Sequence, residues 1–77
     1  MRTFPIKNLY YEFIKGSDLE GFITAIESAR RLESVGLIEL VPDKRTGEIG
    51  FYRWIKTKKV SRPELESMVR TALVGEL

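Results

Sequence analysis

A single glycine divides the middle of this chain into a helical half and a strand half. Before Gly36, apolar side chains recur about every three residues and share one helical face: Ile26, Ala29, Leu32 and Val35. With Gly36 in the left-handed conformation that ends a helix, Leu37 is the next residue and contacts Leu32 across the last helical turn. The pattern therefore predicts a helix from Thr24 to Val35 that passes into a strand with almost no loop.

The strand after this glycine is the first arm of a predicted β-hairpin. Leu37 to Val41 and Ile49 to Ile55 are rich in β-branched and aromatic residues, and a short turn segment separates them. Asp43 suits the first position of a type I turn, and Gly47 suits the left-handed position that closes a bulged loop. Because both faces of the second strand are largely apolar, we expect the hairpin to lie against helices.

Helices are predicted on both sides of this unit. A first helix from Pro5 to about Lys15 carries an apolar stripe that should enter the core: Ile6, Leu9, Tyr10, Phe13 and Ile14. Near the other end, Ser61 to Glu64 fits a capping box with a proline near the helix start, for a helix that ends near Val74. We expect the C-terminal helix to occupy residues 61–77 of a single domain, 1–77.

Two structures compete in the segment before the central helix. N-cap residues occur at Asp18 and again at Thr24 to Glu27, which fits the Ser/Thr-x-x-Glu capping box. Either a short helix ends near Gly21 to Ile23 and a new one begins at Thr24, or one helix runs from about Leu19 to Val35. The continuous or merely kinked helix is favoured, because these apolar residues keep the phase of the stripe: Leu19, Phe22, Ile23 and Ile26.

Composition excludes several classes of protein. The chain has no cysteine and no histidine, which excludes disulfides and thiolate metal sites and removes the commonest general base. It also lacks a Gly-rich phosphate loop and a nucleophile motif, so we expect no enzyme, metal or cofactor. No apolar run approaches the roughly 20 residues that span a bilayer, and the first residues lack a signal-peptide core. A cytoplasmic protein without a membrane partner is expected.

Positive charge is concentrated in one segment of the sequence. The formal net charge is only +2, but residues 42–62 hold seven basic and two acidic side chains. Neighbouring charges act together within a screening length of roughly 8 Å at physiological salt, so a local cluster attracts polyanions. The alternative is a solvated hairpin tip followed by a lysine-rich linker.

Arg30 to Glu39, followed by a basic turn and an aromatic strand, resembles the second half of a winged helix-turn-helix DNA-binding domain. The resemblance covers Thr24 to Ile55, somewhat under half of the chain. In that family the helix before the Gly-Leu-Ile step is the recognition helix and the hairpin is the wing. The resemblance implies an α+β, small winged-helix-like domain of order α-α(-α)-β-β-α, with an antiparallel hairpin wing and a C-terminal helix.

The expected function is double-stranded DNA binding by a small transcriptional regulator. The recognition helix would offer Ser28, Arg30 and Arg31 to the major groove and nearby phosphates. The hairpin tip would offer Lys44 and Arg45 to phosphates or the minor groove. Further contacts to the DNA backbone are expected from cations on and after the second strand: Arg53, Lys56, Lys58 and Lys59.

Other interpretations remain open from the sequence. The low net charge, with Glu27 and Glu33 on the recognition helix, favours a protein-interaction module, such as an accessory or viral factor docking through its hairpin or last helix. Tyr52 and Trp54 could stack on single-stranded nucleic acid, although such aromatics more often pack under a helix. The last helix either packs on its own domain or forms a homodimer through its apolar face: Leu65, Met68, Val69, Ala72 and Leu73.

Overall fold

The computed structural model describes residues 2–55 and 60–75. Within these ranges the chain has the expected α+β class, with helices packed on one face of a three-stranded antiparallel sheet. The elements are, in chain order, β1 (Phe4–Pro5), α1 (Lys7–Leu9), a π-helix (Tyr10–Ile14), α2 (Ala25–Ser34), β2 (Ile38–Pro42), β3 (Ile49–Trp54) and α3 (Arg62–Val74).

The predicted passage from helix to strand is confirmed at the end of α2. The Leu37 N–H donates to the Leu32 carbonyl at 3.0 Å, and the Gly36 N–H donates to the Glu33 carbonyl at 2.9 Å. This is the hydrogen-bond pair of a Schellman motif. Gly36 has a φ of +81°, a left-handed conformation that costs roughly 1–2 kcal/mol for a residue with a Cβ. The glycine therefore sets the point at which the chain leaves the helix.

The predicted hairpin is also confirmed. β2 and β3 pair antiparallel, with a bulge between Val41 and Pro42. At the turn, the Asp43 N–H donates to the Glu48 carbonyl at 2.7 Å, and the Gly47 N–H donates to the Asp43 carbonyl at 2.8 Å. Gly47 has a φ of +75°, the left-handed position expected for the closing residue of the loop.

The N-terminus differs from the prediction, because Pro5 lies in a strand and not in the first turn of a helix. Phe4 and Pro5 form β1, which pairs antiparallel with Tyr52 and Phe51 of β3. The sheet order is therefore β1-β3-β2. The Phe4 ring packs 5.7 Å from the ring of Tyr52, centroid to centroid. The predicted order of elements thus lacked its first strand.

The first helix begins after β1 and changes type along its length. α1 continues directly into the π-helix, which closes with the Lys15 N–H donating to the Tyr10 carbonyl at 2.8 Å. The predicted core stripe is confirmed: Ile6, Leu9 and Ile14 are buried, and Tyr10 and Phe13 pack against the core.

The favoured continuous helix before residue 24 is wrong. Residues 17–22 form successive turns, not a helix, and Thr24 is extended with φ −84° and ψ 166°. The Thr24 hydroxyl oxygen accepts the Glu27 N–H at 3.2 Å, so the capping box begins α2. The helical spacing of apolar residues led to the wrong prediction, because Phe22 is 74% exposed although Leu19 and Ile23 are buried.

The last helix packs on its own domain. α3 contacts α2 and the π-helix, and its N-cap is Ser61, as predicted. Of the five residues proposed as a dimer face, Val69 and Leu73 are buried and Leu65 and Ala72 pack against the core, which leaves Met68 exposed. Among the described residues, no helix is long and apolar enough to cross a membrane.

Candidate nucleic-acid interface

The hairpin tip holds two adjacent cations in solvent on an ordered turn. The Asp43 carboxylate accepts the Arg45 backbone N–H at 2.8 Å, and the Thr46 hydroxyl accepts the Glu48 N–H at 3.2 Å. Side-chain acceptors of this kind stabilise turns. Lys44 and Arg45 are both exposed, so the side chains of Asp43 and Thr46 hold the turn while its cations remain accessible.

One internal contact competes for these cations. The Arg45 Nε lies 3.6 Å from an Asp43 carboxylate oxygen, and the Arg45 side chain is 88% exposed. Exposed ion pairs of this kind contribute little to stability, typically about 0–1 kcal/mol. The contact with Asp43 therefore restrains the Arg45 side chain only weakly.

The prediction that Ser28 faces solvent is wrong. Ser28 is fully buried, and its hydroxyl donates to the Ala25 carbonyl at 2.7 Å. A serine that returns its hydroxyl to the preceding turn satisfies its own polar group and can enter a core. The buried face of α2 is therefore rotated from the predicted one, since Ile26 and Val35 are 39% and 54% exposed.

The two arginines of α2 have different surroundings. Arg31 donates from Nη1 to the Leu73 carbonyl in the last turn of α3, at 2.7 Å. A cation at a helix C-terminus is favourable because the helix dipole is negative there. Arg31 thus links α2 to α3 by a hydrogen bond. No local sequence pattern indicates this contact, because the two residues are far apart in the chain. Arg30 is exposed and forms no ion pair with a described residue.

The remaining predicted cations fall into two groups. Arg53 is paired with Glu39 on the neighbouring strand, with the two side chains 33% and 49% exposed. Lys56, Lys58 and Lys59 lie outside the described residues. Of the predicted cations that lie within 2–55 and 60–75, the structure therefore brings together Lys44 and Arg45 as an accessible pair, with Arg30 as a further exposed cation on α2.

The aromatic residues proposed to stack on bases lie under the helices. Tyr52 is 1% exposed, and burial raises the pKa of its phenol to about 12. The Trp54 ring packs edge-on to Phe13, at 6.0 Å between centroids. The favoured interpretation, that Tyr52 and Trp54 pack under a helix, is therefore confirmed. Phe51, the neighbour of Tyr52 on β3, is partly exposed and is not among the residues packed against the core.

Metal binding has no candidate within 2–55 and 60–75, where no group of three or more acidic side chains could hold an ion. Comparisons with protein-family models, curated proteins and solved structures found no match to this chain. Functional inference therefore depends on the geometry of the chain itself.

Proposed function

We propose that this chain binds double-stranded DNA through the tip of its β2–β3 hairpin and acts as a small transcriptional regulator of winged-helix type. The observation that carries the proposal is the adjacent, exposed pair Lys44 and Arg45 on a turn fixed by Asp43. In this assignment the hairpin is the wing and α2 is the recognition helix. The Schellman ending at Gly36 supports it, because it fixes the angle between helix and hairpin.

The binding energy would come mainly from phosphates. Duplex DNA carries a charge about every 1.7 Å along its axis, and each neutralised phosphate releases condensed counterions. Lys44 and Arg45 would neutralise two phosphates, and Arg30 would neutralise a third from α2. Glu27 and Glu33 are also exposed on α2, so this helix offers few donors to base edges. Modest sequence preference is therefore expected.

Salt dependence of duplex binding tests the proposal. Fluorescence anisotropy titrations at several salt concentrations give the slope of log affinity against log salt. The magnitude of this slope should fall by about 0.9 for each phosphate that the protein no longer neutralises. The double variant Lys44→Ala/Arg45→Ala should therefore reduce the slope by nearly two.

The matched control removes two lysines that are exposed near the first helix, Lys7 and Lys15. The variant Lys7→Ala/Lys15→Ala has the same net charge as the tip variant and should keep most of the slope. Equal decreases in both variants would mean that general charge attracts DNA and the tip has no special role. Undetectable binding of the unaltered chain at low salt would remove the proposal altogether.

A protein-interaction module is the second candidate, and exposed apolar side chains favour it. Val35 and Met68 are 54% and 38% exposed and line a groove of about 330 Å³ between the end of α2 and α3. Retention of a defined protein partner that Met68→Lys abolishes, together with no DNA binding, would favour this function over the first.

A further inference from the structure

The sheet has one covered face and one open face. Leu40, Tyr52 and Phe4 form a row across the three strands. This row faces the helices, since Tyr52 is 1% exposed and the other two pack against the core. Side chains alternate between the two faces of a strand. The next residues along each strand therefore lie on the opposite side.

An apolar row crosses that opposite face. Val41, Phe51 and Pro5 are in register on β2, β3 and β1. All three are partly exposed, and none belongs to the core or to the described residues packed against it.

A charged row lies beside the apolar one. Glu39 on β2 and Arg53 on β3 are cross-strand partners and form an ion pair. They share the open face with Val41 and Phe51, two positions away on the same strands. The two central strands thus carry one anion, one cation and two apolar side chains in a two-by-two arrangement.

We propose that this open face binds a second copy of the chain, with a two-fold axis parallel to the hairpin strands and midway between β2 and β3. Such an axis places β2 of one copy over β3 of the other, as in two sheets stacked roughly 10 Å apart. Glu39 then faces the partner's Arg53, and Val41 faces the partner's Phe51. The charged row therefore faces the charged row of the partner and the apolar row faces the apolar row, so the surface is self-complementary, as a two-fold interface requires.

Charge complementarity selects this occupant over others. A polyanion would meet Glu39 and an apolar row. An unrelated apolar surface would bury the ion pair without opposite charges to compensate its lost hydration. A second copy supplies an opposite charge to both Glu39 and Arg53 and an apolar partner to both Val41 and Phe51.

The contact area limits the strength of the dimer. β2 and β3 have 5 and 6 residues, and about the proposed axis only these two strands overlap their partners, so with strands about 4.8 Å apart the overlapping patch is roughly 10 Å by 20 Å. Stable interfaces usually bury about 800 Å² per partner. The dimer should therefore dissociate on dilution.

The dimer depends on the open face alone, whether or not the chain binds DNA. Dimerisation would nevertheless affect DNA binding. Rotation about an axis parallel to the strands leaves both hairpin tips at the same end of the dimer. Two copies of Lys44 and Arg45 would then be presented side by side to one duplex.

Sedimentation equilibrium over a wide concentration range tests the dimer, with two complementary variants. Glu39→Arg makes the open face wholly cationic, and Arg53→Glu makes it wholly anionic. Each variant alone should be monomeric where the unaltered chain is dimeric, because like charges would face each other. An equimolar mixture should recover the dimer mass, since a cationic face then meets an anionic one.

Recovery in the mixture separates an intermolecular role from an intramolecular one, because two monomers cannot repair each other's internal ion pair without contact. Circular dichroism should show both variants folded. Glu33→Arg and Lys7→Glu, exposed charge changes elsewhere, should leave the dimer intact. The proposal is overturned by an unaltered chain that stays monomeric at millimolar concentration, by a mixture of folded variants that stays monomeric, or by a dimer that neither variant weakens.

Discussion

Replacing Gly36 with alanine tests the junction between α2 and the hairpin. Nothing lies within 4 Å of a Cβ built at this position, and φ is +81°. The substitution therefore adds no clash, and its cost is that of holding an L-residue in left-handed backbone, about 1–2 kcal/mol. For a domain of this size each kcal/mol lowers the melting temperature by about 4–8 °C, so a decrease of about 5–15 °C is expected.

Urea unfolding measures this cost directly. Trp54, the single tryptophan, lies on β3 and reports unfolding by its fluorescence. The midpoint should fall while the slope of free energy against urea stays constant, since the surface exposed on unfolding is unchanged. Gly50→Ala is the control: a Cβ there meets Asp43 Cβ at an ordinary 3.5 Å, and no positive φ is involved.

The control should change the free energy of unfolding by less than about 0.5 kcal/mol, the usual range for substitutions that disturb no special feature. If Gly36→Ala were as stable as the unaltered chain, or no less stable than Gly50→Ala, the left-handed helix stop would not determine where the hairpin begins.

Three further outcomes follow from single contacts. Burial raises the pKa of Tyr52 from 10.0 to about 12. Its contribution to stability is therefore complete below pH 10 and should fall by roughly 2–3 kcal/mol as pH rises to 12. Ultraviolet titration should show one phenol ionising only near pH 12, and ionisation of Tyr52 near pH 10 would contradict its burial. Arg31→Met should destabilise the fold by about 1–2 kcal/mol in urea unfolding, because a carbonyl in the last turn of α3 loses a charged donor. The control Arg30→Met should cost less than about 0.5 kcal/mol, and equal costs for the two variants would refute the role of Arg31. The Arg70 side chain donates to Asp18 at 2.7 Å and lowers the pKa of that carboxyl below 3.8. Any stability that this pair contributes is therefore present above pH 3.8 and is lost as pH falls through the lowered pKa. NMR titration should show the Asp18 pKa return upward in Arg70→Met, and an unchanged value would show that the pair does not persist in solution.

The parts of the fold that sequence predicted are those decided by local chemistry. Ser61 begins α3 as predicted because its hydroxyl caps an N–H three residues later. Thr24 begins α2 in the same way, although from the sequence this start was the less favoured of two alternatives. Gly36 ends a helix and Gly47 closes a turn because left-handed backbone favours glycine. These features depend on only a few neighbouring residues, so they can be predicted without knowledge of the tertiary structure.

The parts that failed depend on distant residues. β1 has two residues and exists only through pairing with Tyr52 and Phe51, a contact that no local pattern encodes. Ser28 is on the buried side of α2, a helix that contacts α1, β2 and α3. Two of the predicted DNA contacts, Arg31 and Arg53, have partners on other elements. The sequence shows that basic residues cluster in residues 42–62, but only the fold shows which of the described cations are accessible.

Mapping the DNA contact surface residue by residue tests the central claim most directly. A ¹⁵N-labelled chain titrated with a short duplex at low salt should show its largest amide shift changes at Lys44, Arg45 and Thr46, with smaller changes near Arg30. Added salt should reverse these changes, because phosphate contacts are salt-dependent. Changes confined to α3, or no change at the hairpin tip while DNA is bound, would contradict the proposal that the hairpin binds DNA.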